Sequence, residues 1–141
     1  MRYAYPVEVS TEPDGITITC PDVPEMVTGG WGDLGANLDA APDALAMALS
    51  FYVEDGRPIP LASPPEGRAI VCVPTLAAAK LSLHGAMLEA KVTNAELARR
   101  LGLDESAVNQ LRNPSHHSDI DVVERALRAL GQRLELNDVA S

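Results

Sequence analysis

Residues 92–113, VTNAELARRLGLDESAVNQLRN, decide the fold of the second half of the chain. Thr93 and Glu96 have the spacing of a capping box, in which two side chains satisfy free backbone donors where a helix begins. Gly102 stands where a helix end favours a left-handed residue, and Asp104 is placed to cap a second helix. The spacing therefore predicts a helix, a tight turn and a second helix, as in a helix-turn-helix.

The second helix of this motif is predicted to read DNA, because its polar side chains would face outward toward base edges in the major groove. The residues predicted to contact bases are Glu105, Ser106, Asn109 and Gln110. The residues predicted to contact phosphates are Thr93, Asn94, Arg112, Asn113, Ser115 and His116. Those predicted to pack inward are Ala95, Leu97, Ala98, Leu101, Ala107, Val108 and Leu111. The alternative is an ordinary two-helix corner in a small helical domain.

The composition allows one ordinary domain or two small ones within 141 residues. Hydrophobic residues make up 46% but aromatic residues only 4%, so the core must consist mainly of Ala, Leu and Val. No apolar run approaches the ~18 residues of a membrane span, and no signal-peptide core follows Met1, which favours a cytoplasmic protein. Cys20 and Cys72 lie in apolar, strand-like runs and are predicted to be buried thiols.

The net charge of -9 is unevenly distributed along the chain. Residues 1–63 carry two basic side chains and ten acidic ones, which gives -8, whereas residues 64–141 carry nine and ten, which gives -1. Within residues 91–133 seven basic side chains outnumber six acidic ones. An acidic first half suggests a basic partner, since complementary potentials speed encounter, although plain solubility would also explain it.

Apolar and polar residues alternate along the first half of the sequence, as they do in strands with one buried face. Strands are predicted at residues 2–10 and 16–20, joined by a turn, and a short third strand at residues 21–28 before a glycine-rich bend. Asp33 is predicted to cap a helix that Pro42 kinks or divides. After a proline-rich loop, the apolar run at residues 69–73 is predicted to be a buried strand.

The second half is predicted to begin with a helix capped by Thr75 and to end with a helix capped by Ser118. His84 would lie near the polar edge of the first of these helices, without a specific role. Leu134 and Leu136 predict a short closing strand that pairs with a second copy of the chain. The predicted domains are therefore residues 1–73 and 74–141, in an α+β fold.

Seven segments in this order resemble the HicB antitoxins of bacterial toxin–antitoxin pairs, in the subgroup with a C-terminal helix-turn-helix. The segments are RYAYPVEV, GITITCPDVPEMVTGG, ALAMALSFYVEDG and RPIPLAS in the first half, and NAELARRLGLDESAV, NPSHH and VERALRALGQRLEL in the second. Two departures are the absence of an acidic pair in residues 33–37 and the presence of Pro42. Both concern local geometry.

The resemblance implies a first domain like a partial RNase H fold (ββββα-type): three antiparallel strands, a helix and a further strand, without nuclease activity. It implies that this domain masks a small, basic, HicA-like toxin that cleaves mRNA, and that the tail binds the operator as a homodimer and represses the operon. The residues expected to contact the toxin are Asp22, Glu25, Met26, Trp31 and Asp33. For Trp31, packing into the base of the hairpin core is an open alternative.

Enzymatic activity, a metal and a cofactor are not expected. A two-metal nuclease needs converging carboxylates, whereas Asp14 and Asp33 are committed to a turn and a cap, and Glu8 lies on the solvent side of its strand. His116 and His117 are adjacent, so their side chains diverge, and no further ligand stands at a suitable spacing. The remaining alternative is a stand-alone repressor whose first domain binds a small ligand.

Overall fold

The alternating residues at the start of the chain form the centre of a four-stranded antiparallel sheet. The computed structural model describes residues 3–140. Four strands, β1 (Ala4–Glu12), β2 (Gly15–Thr19), β3 (Val27–Gly30) and β4 (Ala69–Cys72), lie in the order β3-β2-β1-β4. The α+β class is confirmed, as is the hairpin of β1 and β2, which closes at the pair Glu12 and Gly15.

The two halves of β1 have different neighbours and different burial. Its first half pairs with β4, from Ala4 opposite Cys72 to Val7 opposite Ala69, and its second half pairs with β2. Helix α1 (Leu34–Glu54) packs against the buried face of this sheet. The first core therefore combines alternate strand residues with one stripe of α1: Tyr5, Val7, Ile18, Leu45, Leu49 and Tyr52.

The third strand begins later than predicted. Residues 21–26 form successive turns, in which Val23 N–H donates to the Cys20 carbonyl and Met26 N–H to the Val23 carbonyl. Gly29 and Gly30, predicted as part of a bend, belong to β3. A Cβ on Gly29 would lie 1.9 Å from the Ile16 carbonyl oxygen, so only glycine allows β3 to approach β2 this closely.

Helix α1 continues through its proline. Asp33 caps it as predicted, accepting from the Ala36 N–H at 2.8 Å, and the helix then runs unbroken past Pro42 to Glu54. The predicted division at Pro42 is therefore wrong.

Strand β4 is an edge strand, which corrects its prediction as a fully buried strand. Val71 faces the core, but Ile70 and Cys72 are exposed. Helix α1 covers only one face of β4, and Val71 is the residue of β4 that is buried there. The prediction of two buried thiols holds for Cys20 only.

The second half consists of α2 (Thr75–Ala90), α3 (Asn94–Leu101), α4 (Glu105–Arg112) and α5 (Ile120–Ala129). These helices enclose a second core, yet α2 also contributes to the first: Ala77 and Leu81 pack with the sheet, whereas Leu83 and Met87 pack with the other helices. A boundary between residues 73 and 74 stays a prediction. No helix within residues 3–140 is long and apolar enough to cross a membrane.

Three predicted details of the second half are corrected. The N-terminal cap of α2 is Pro74 rather than Thr75, and that of α5 is Asp119 rather than Ser118. Residues 132–140 contain no strand, and Leu136 is 82% exposed. A strand at Leu136 needs a neighbouring strand, which one copy of the chain does not supply there.

Two methionines provide a matched test of the first core. Met26 is 1% exposed, whereas Met47 on the outer face of α1 is 54% exposed. We expect Met26→Ala to lower the free energy of unfolding by about 2–5 kcal/mol, because it removes buried methylenes and leaves a cavity. Met47→Ala should change it by less than about 1 kcal/mol. Urea denaturation followed by circular dichroism measures both, and equal losses would contradict the burial of Met26.

Candidate functional site

The turn between α3 and α4 is built from the capping residues that the sequence predicts. Thr93 Oγ1 accepts from the Glu96 N–H at 3.2 Å, and Asp104 Oδ1 accepts from the Ala107 N–H at 2.7 Å. Gly102 ends α3 in the left-handed conformation, with φ of 69°. Leu97 and Val108 are fully buried between the helices. The predicted beginning and end of α3 and the predicted beginning of α4 are therefore confirmed.

Two details of α3 differ from the prediction. The Glu96 carboxylate does not complete the capping box but pairs with Arg99 and Arg100, and these guanidinium groups hold the pKa of Glu96 below its usual value. Ala95 is exposed rather than packed inward. The inward face of α3 is consequently limited to Leu97, Ala98 and part of Leu101.

The outward face of α4 carries all four residues predicted to contact bases. Glu105, Ser106, Asn109 and Gln110 are exposed, and their spacing places them on one side of the helix. This face is polar and has both donors and acceptors, as major-groove recognition requires.

The side chains of Arg112 and Asn94 are hydrogen-bonded to each other, which does not fit their predicted role in binding phosphates. Arg112 Nη1 donates to Asn94 Oδ1 at 2.7 Å, and Nη2 donates to His84 Nδ1 at 2.6 Å. Arg112 Nε is buried and has no hydrogen-bond partner within the described part of the chain. Burial lowers the pKa of Arg112. Both side chains thus connect the start of α3 to the end of α4.

His84 joins the two halves of the molecule, a role that the sequence did not reveal. It is fully buried on α2, and its Nε2 lies 2.8 Å from the Arg57 carbonyl in the loop after α1. Because a carbonyl only accepts and a guanidinium only donates, this geometry requires neutral imidazole with the proton on Nε2. Burial lowers the pKa of His84, and the charge of Arg112 lowers it further.

Lys80 is a second buried polar residue of α2 that the sequence analysis missed. Its Nζ donates to Ser118 Oγ at 2.6 Å and also to the His116 carbonyl. Burial lowers the pKa of Lys80 to about 8. The burial of Lys80 and His84 could have been inferred from the many apolar residues of α2. A helix that is apolar on most sides is enclosed by its neighbours, so its polar side chains are buried too.

The loop after α4 is fixed by local hydrogen bonds, and only some of its predicted phosphate ligands remain accessible. Asn113 Oδ1 accepts from the Ser115 N–H at 2.9 Å. Ser115 Oγ lies 3.4 Å from the Ala46 carbonyl of α1. The side chains of Thr93, Ser115 and His116 are exposed. Thr93 lies directly before α3, whereas Ser115 and His116 lie in the loop after α4.

Acidic residues of the first half hold the proline-rich loop against the sheet. Asp22 accepts from both the N–H and the hydroxyl of Ser63. Glu25 accepts from the Tyr52 hydroxyl at 2.6 Å, and Arg57 lies over the Tyr52 ring at 4.0 Å. The Tyr52 hydroxyl holds the pKa of Glu25 below its usual value, whereas burial and Glu25 raise the pKa of Tyr52 to about 12. Asp22 and Glu25 therefore have structural partners.

Trp31 and Met26 have opposite environments. Met26 was predicted as an exposed contact, but it is buried in the first core because the turns of residues 21–26 point it inward, so this prediction is wrong. Trp31 is 79% exposed, which excludes packing at the base of the hairpin. Val27, at the beginning of β3, and Leu34, at the beginning of α1, are also exposed, while Asp33 remains at the helix cap.

The described part of the chain contains no cluster of metal-binding side chains. Within residues 3–140, no group of three or more His, Cys, Asp or Glu side chains is arranged to hold a metal ion.

Together these features describe a chain of two parts, an acidic sheet part that exposes an aromatic side chain and a helical part that exposes a polar helix face. The chain belongs to the HicB-like antitoxins of bacterial toxin–antitoxin systems, a family that matches residues 2–82. This family is a non-enzymatic component of those systems.

Full-length relatives support the same assignment. The chain is 44% identical to Antitoxin HicB of Pseudomonas fluorescens (strain Pf0-1), a match that covers 97% of this chain and 94% of the relative. It is 43% identical to Antitoxin HicB 2 of Photorhabdus laumondii subsp. laumondii, with 94% of each chain covered. It is 38% identical to Antitoxin HicB of Escherichia coli (strain K12), with 94% and 96% covered.

The buried position of His84 predicts a pH-dependent stability. Its pKa is lower in the folded chain than the unfolded value of 6.5, so the unfolded chain binds the proton first as the pH falls. The stabilisation is complete above about pH 6.5 and is lost below it, by at most about 1.4 kcal/mol per pH unit. His84→Gln, which retains a donor and an acceptor, should flatten this dependence.

Urea denaturation between pH 5 and pH 7.5 measures this effect. His117→Gln is the matched control, because the His117 side chain is exposed, and it should retain the dependence of the unchanged chain. An identical pH dependence in the His84→Gln variant would contradict the proposed tautomer.

Proposed function

We propose that this chain acts in the cytoplasm as the antitoxin of a HicA-like toxin that cleaves mRNA, and that it also represses its own operon. Its first half would mask the toxin, and its second half would bind operator DNA. The observation that carries this proposal is the match to antitoxins over nearly the whole chain. The βββαβ order of the first half, with one helix on an antiparallel sheet, is compatible with a partial RNase H-like fold.

Masking of the toxin is supported by the charge and shape of the first half. Residues 1–63 have a net charge of -8, which attracts a basic protein and orients it during encounter. The exposed side chains of Val27, Trp31 and Leu34 offer the apolar contact that such an encounter needs for affinity. Of the toxin contacts expected from the sequence, the proposal retains Trp31 and the acidic residues and omits Met26. The acidic residues are Asp22, Glu25 and Asp33.

Operator binding is supported by the outward face of α4. The caps at Thr93 and Asp104 fix α3 and α4 relative to each other, and Leu97 and Val108 pack between them. The exposed face then carries Glu105, Ser106, Asn109 and Gln110. Arg112 and Asn94 position these helices from inside, so phosphate contacts are assigned to the exposed side chains of Thr93, Ser115 and His116 with backbone N–H groups.

A homodimer is part of the proposal because a nearly neutral helix pair gains little from phosphate neutralisation alone. Two copies can bind half-sites about one helical turn apart and so add their affinities. Exposed apolar residues near the end of the chain, Ile120, Leu136 and Val139, support an interface there.

The alternative of a ligand-sensing repressor receives no support from the first core. Ala41, Leu45 and Leu49 of α1 are fully buried against the sheet, and Ile18 meets them from β2. A small-molecule site needs an enclosed apolar cavity, which this direct packing does not provide.

Operator binding is tested by substitutions on α4. Asn109→Ala or Gln110→Ala should weaken binding by about 1–3 kcal/mol, with the loss confined to one base position of each half-site. Ser10→Ala, at an exposed position of β1 far from α4 in the sequence, is the control and should bind like the unchanged chain. Fluorescence anisotropy with operator variants provides the measurement. Full affinity after both substitutions would exclude α4 as the reading helix.

Electrostatic steering is tested by neutralising exposed acids. Glu12→Gln with Asp14→Asn should slow association with the toxin by roughly 3–10-fold at low salt and should reduce the salt dependence. The control removes two exposed acids of the second half, by Glu89→Gln with Asp138→Asn. Stopped-flow mixing with the protein of the neighbouring small reading frame measures the rates. Equal slowing by both pairs would show that total charge, rather than this surface, guides the encounter.

A further inference from the structure

Strand β3 leaves one edge of the sheet open. It is the outermost strand, pairing with β2 only, and its other side is not covered by a strand within residues 3–140. Backbone N–H and C=O groups on such an edge can pair with an added strand. Sheet edges are usually protected by charged residues or proline, but Val27–Gly30 carries neither.

Half of the residues of β3 are glycines. Gly29 and Gly30 have φ of 144° and 155°, values that favour glycine, and a Cβ on Gly15 would lie 2.8 Å from the Gly30 carbonyl oxygen. At Gly15 and Gly29 a Cβ would meet the neighbouring strand, so these glycines allow β2 and β3 to lie close together. A cleft of about 410 Å³ lies between β3 and the hairpin of β1 and β2, lined among others by Glu12, Asp14 and Val27. The surface beside β3 therefore carries acidic groups.

Trp31 follows β3 directly and is held in place by α1. Asn37 is buried, and its Nδ2 donates to the Asp33 carbonyl at 2.8 Å and to the Trp31 carbonyl at 3.4 Å. The backbone of the bend is therefore tied to the helix while the indole ring remains exposed. Together with Val27, which is 65% exposed, Trp31 places apolar surface at each end of β3.

We propose that β3 binds an extended segment of the basic toxin as an additional strand. The backbone of Val27–Gly30 pairs with this segment, and Trp31 packs on its side chains. This inference rests on the proposed function and adds the mode of recognition. The charge of the first half favours a basic segment as the added strand. A second copy of this chain would bring another first half with a net charge of -8, whereas a basic segment complements Glu12 and Asp14.

The first test uses the full chain and the toxin from the neighbouring small reading frame, purified from a coexpressed complex. Hydrogen exchange should slow at least tenfold at alternate amides of Val27–Gly30 on binding, because the amides that face away from β2 become paired. The only tryptophan, Trp31, should shift its fluorescence to shorter wavelength. Unchanged exchange of β3 in a complex that neutralises the toxin would overturn this inference and leave the proposed function standing.

The second test compares substitutions at the two ends of the edge. Trp31→Ala should weaken toxin binding at least 30-fold, as expected for a large aromatic contact that anchors the partner, whereas Leu61→Ala, with a side chain 76% exposed on the loop, should change it less than threefold. Val27→Lys should bind about tenfold more weakly than Val27→Glu, because the two differ mainly in their charge toward a basic strand. Equal losses within either pair would overturn the proposal.

Two further outcomes separate the alternatives. Protection of β3 that rises with the concentration of this chain alone would assign the edge to a second copy and overturn the proposal. Failure of the full chain to bind or neutralise the toxin would overturn this inference together with the proposed function.

Discussion

Helix α2 contributes side chains to both hydrophobic cores, and the rest of the structure depends on this constraint. Leu81 faces the sheet domain, and Leu83, two residues later, faces the other helices. A helix enclosed in this way also buries its polar residues, and an unpaired buried polar group costs about 1–3 kcal/mol. Lys80 and His84 therefore bind the loop after α4, the loop after α1 and Arg112. One helix thus fixes the position of both functional parts.

The parts that were predicted from the sequence depend on local interactions. The beginning and end of α3 and the beginning of α4 follow from Thr93, Gly102 and Asp104, whose caps form with the backbone a few residues away. The hairpin of β1 and β2 follows from alternation and a turn. The outward face of α4 follows from the helical period alone, which is why the exposure of its polar residues matched the prediction.

The parts that were not predicted depend on contacts distant in sequence. Met26 and Trp31 are five residues apart, and only the turns before β3 decide which one is buried. Arginine is a common phosphate-binding residue, yet Arg112 donates a hydrogen bond to a histidine 28 residues earlier in the sequence. Cys72 lies in an apolar run, but it points away from the core on the exposed face of β4. Neither periodicity nor local propensity contains this information.

The hydrogen bonds from Asn37 also affect the entropy of recognition. Fixing the backbone of one residue costs roughly 1–2 kcal/mol, and a free bend would lose that freedom only when a partner bound it. Here α1 already restrains the bend through the Trp31 and Asp33 carbonyls, so the loss occurs during folding. A partner would then restrict little more than the indole side chain itself, and most of its contact energy would remain as affinity.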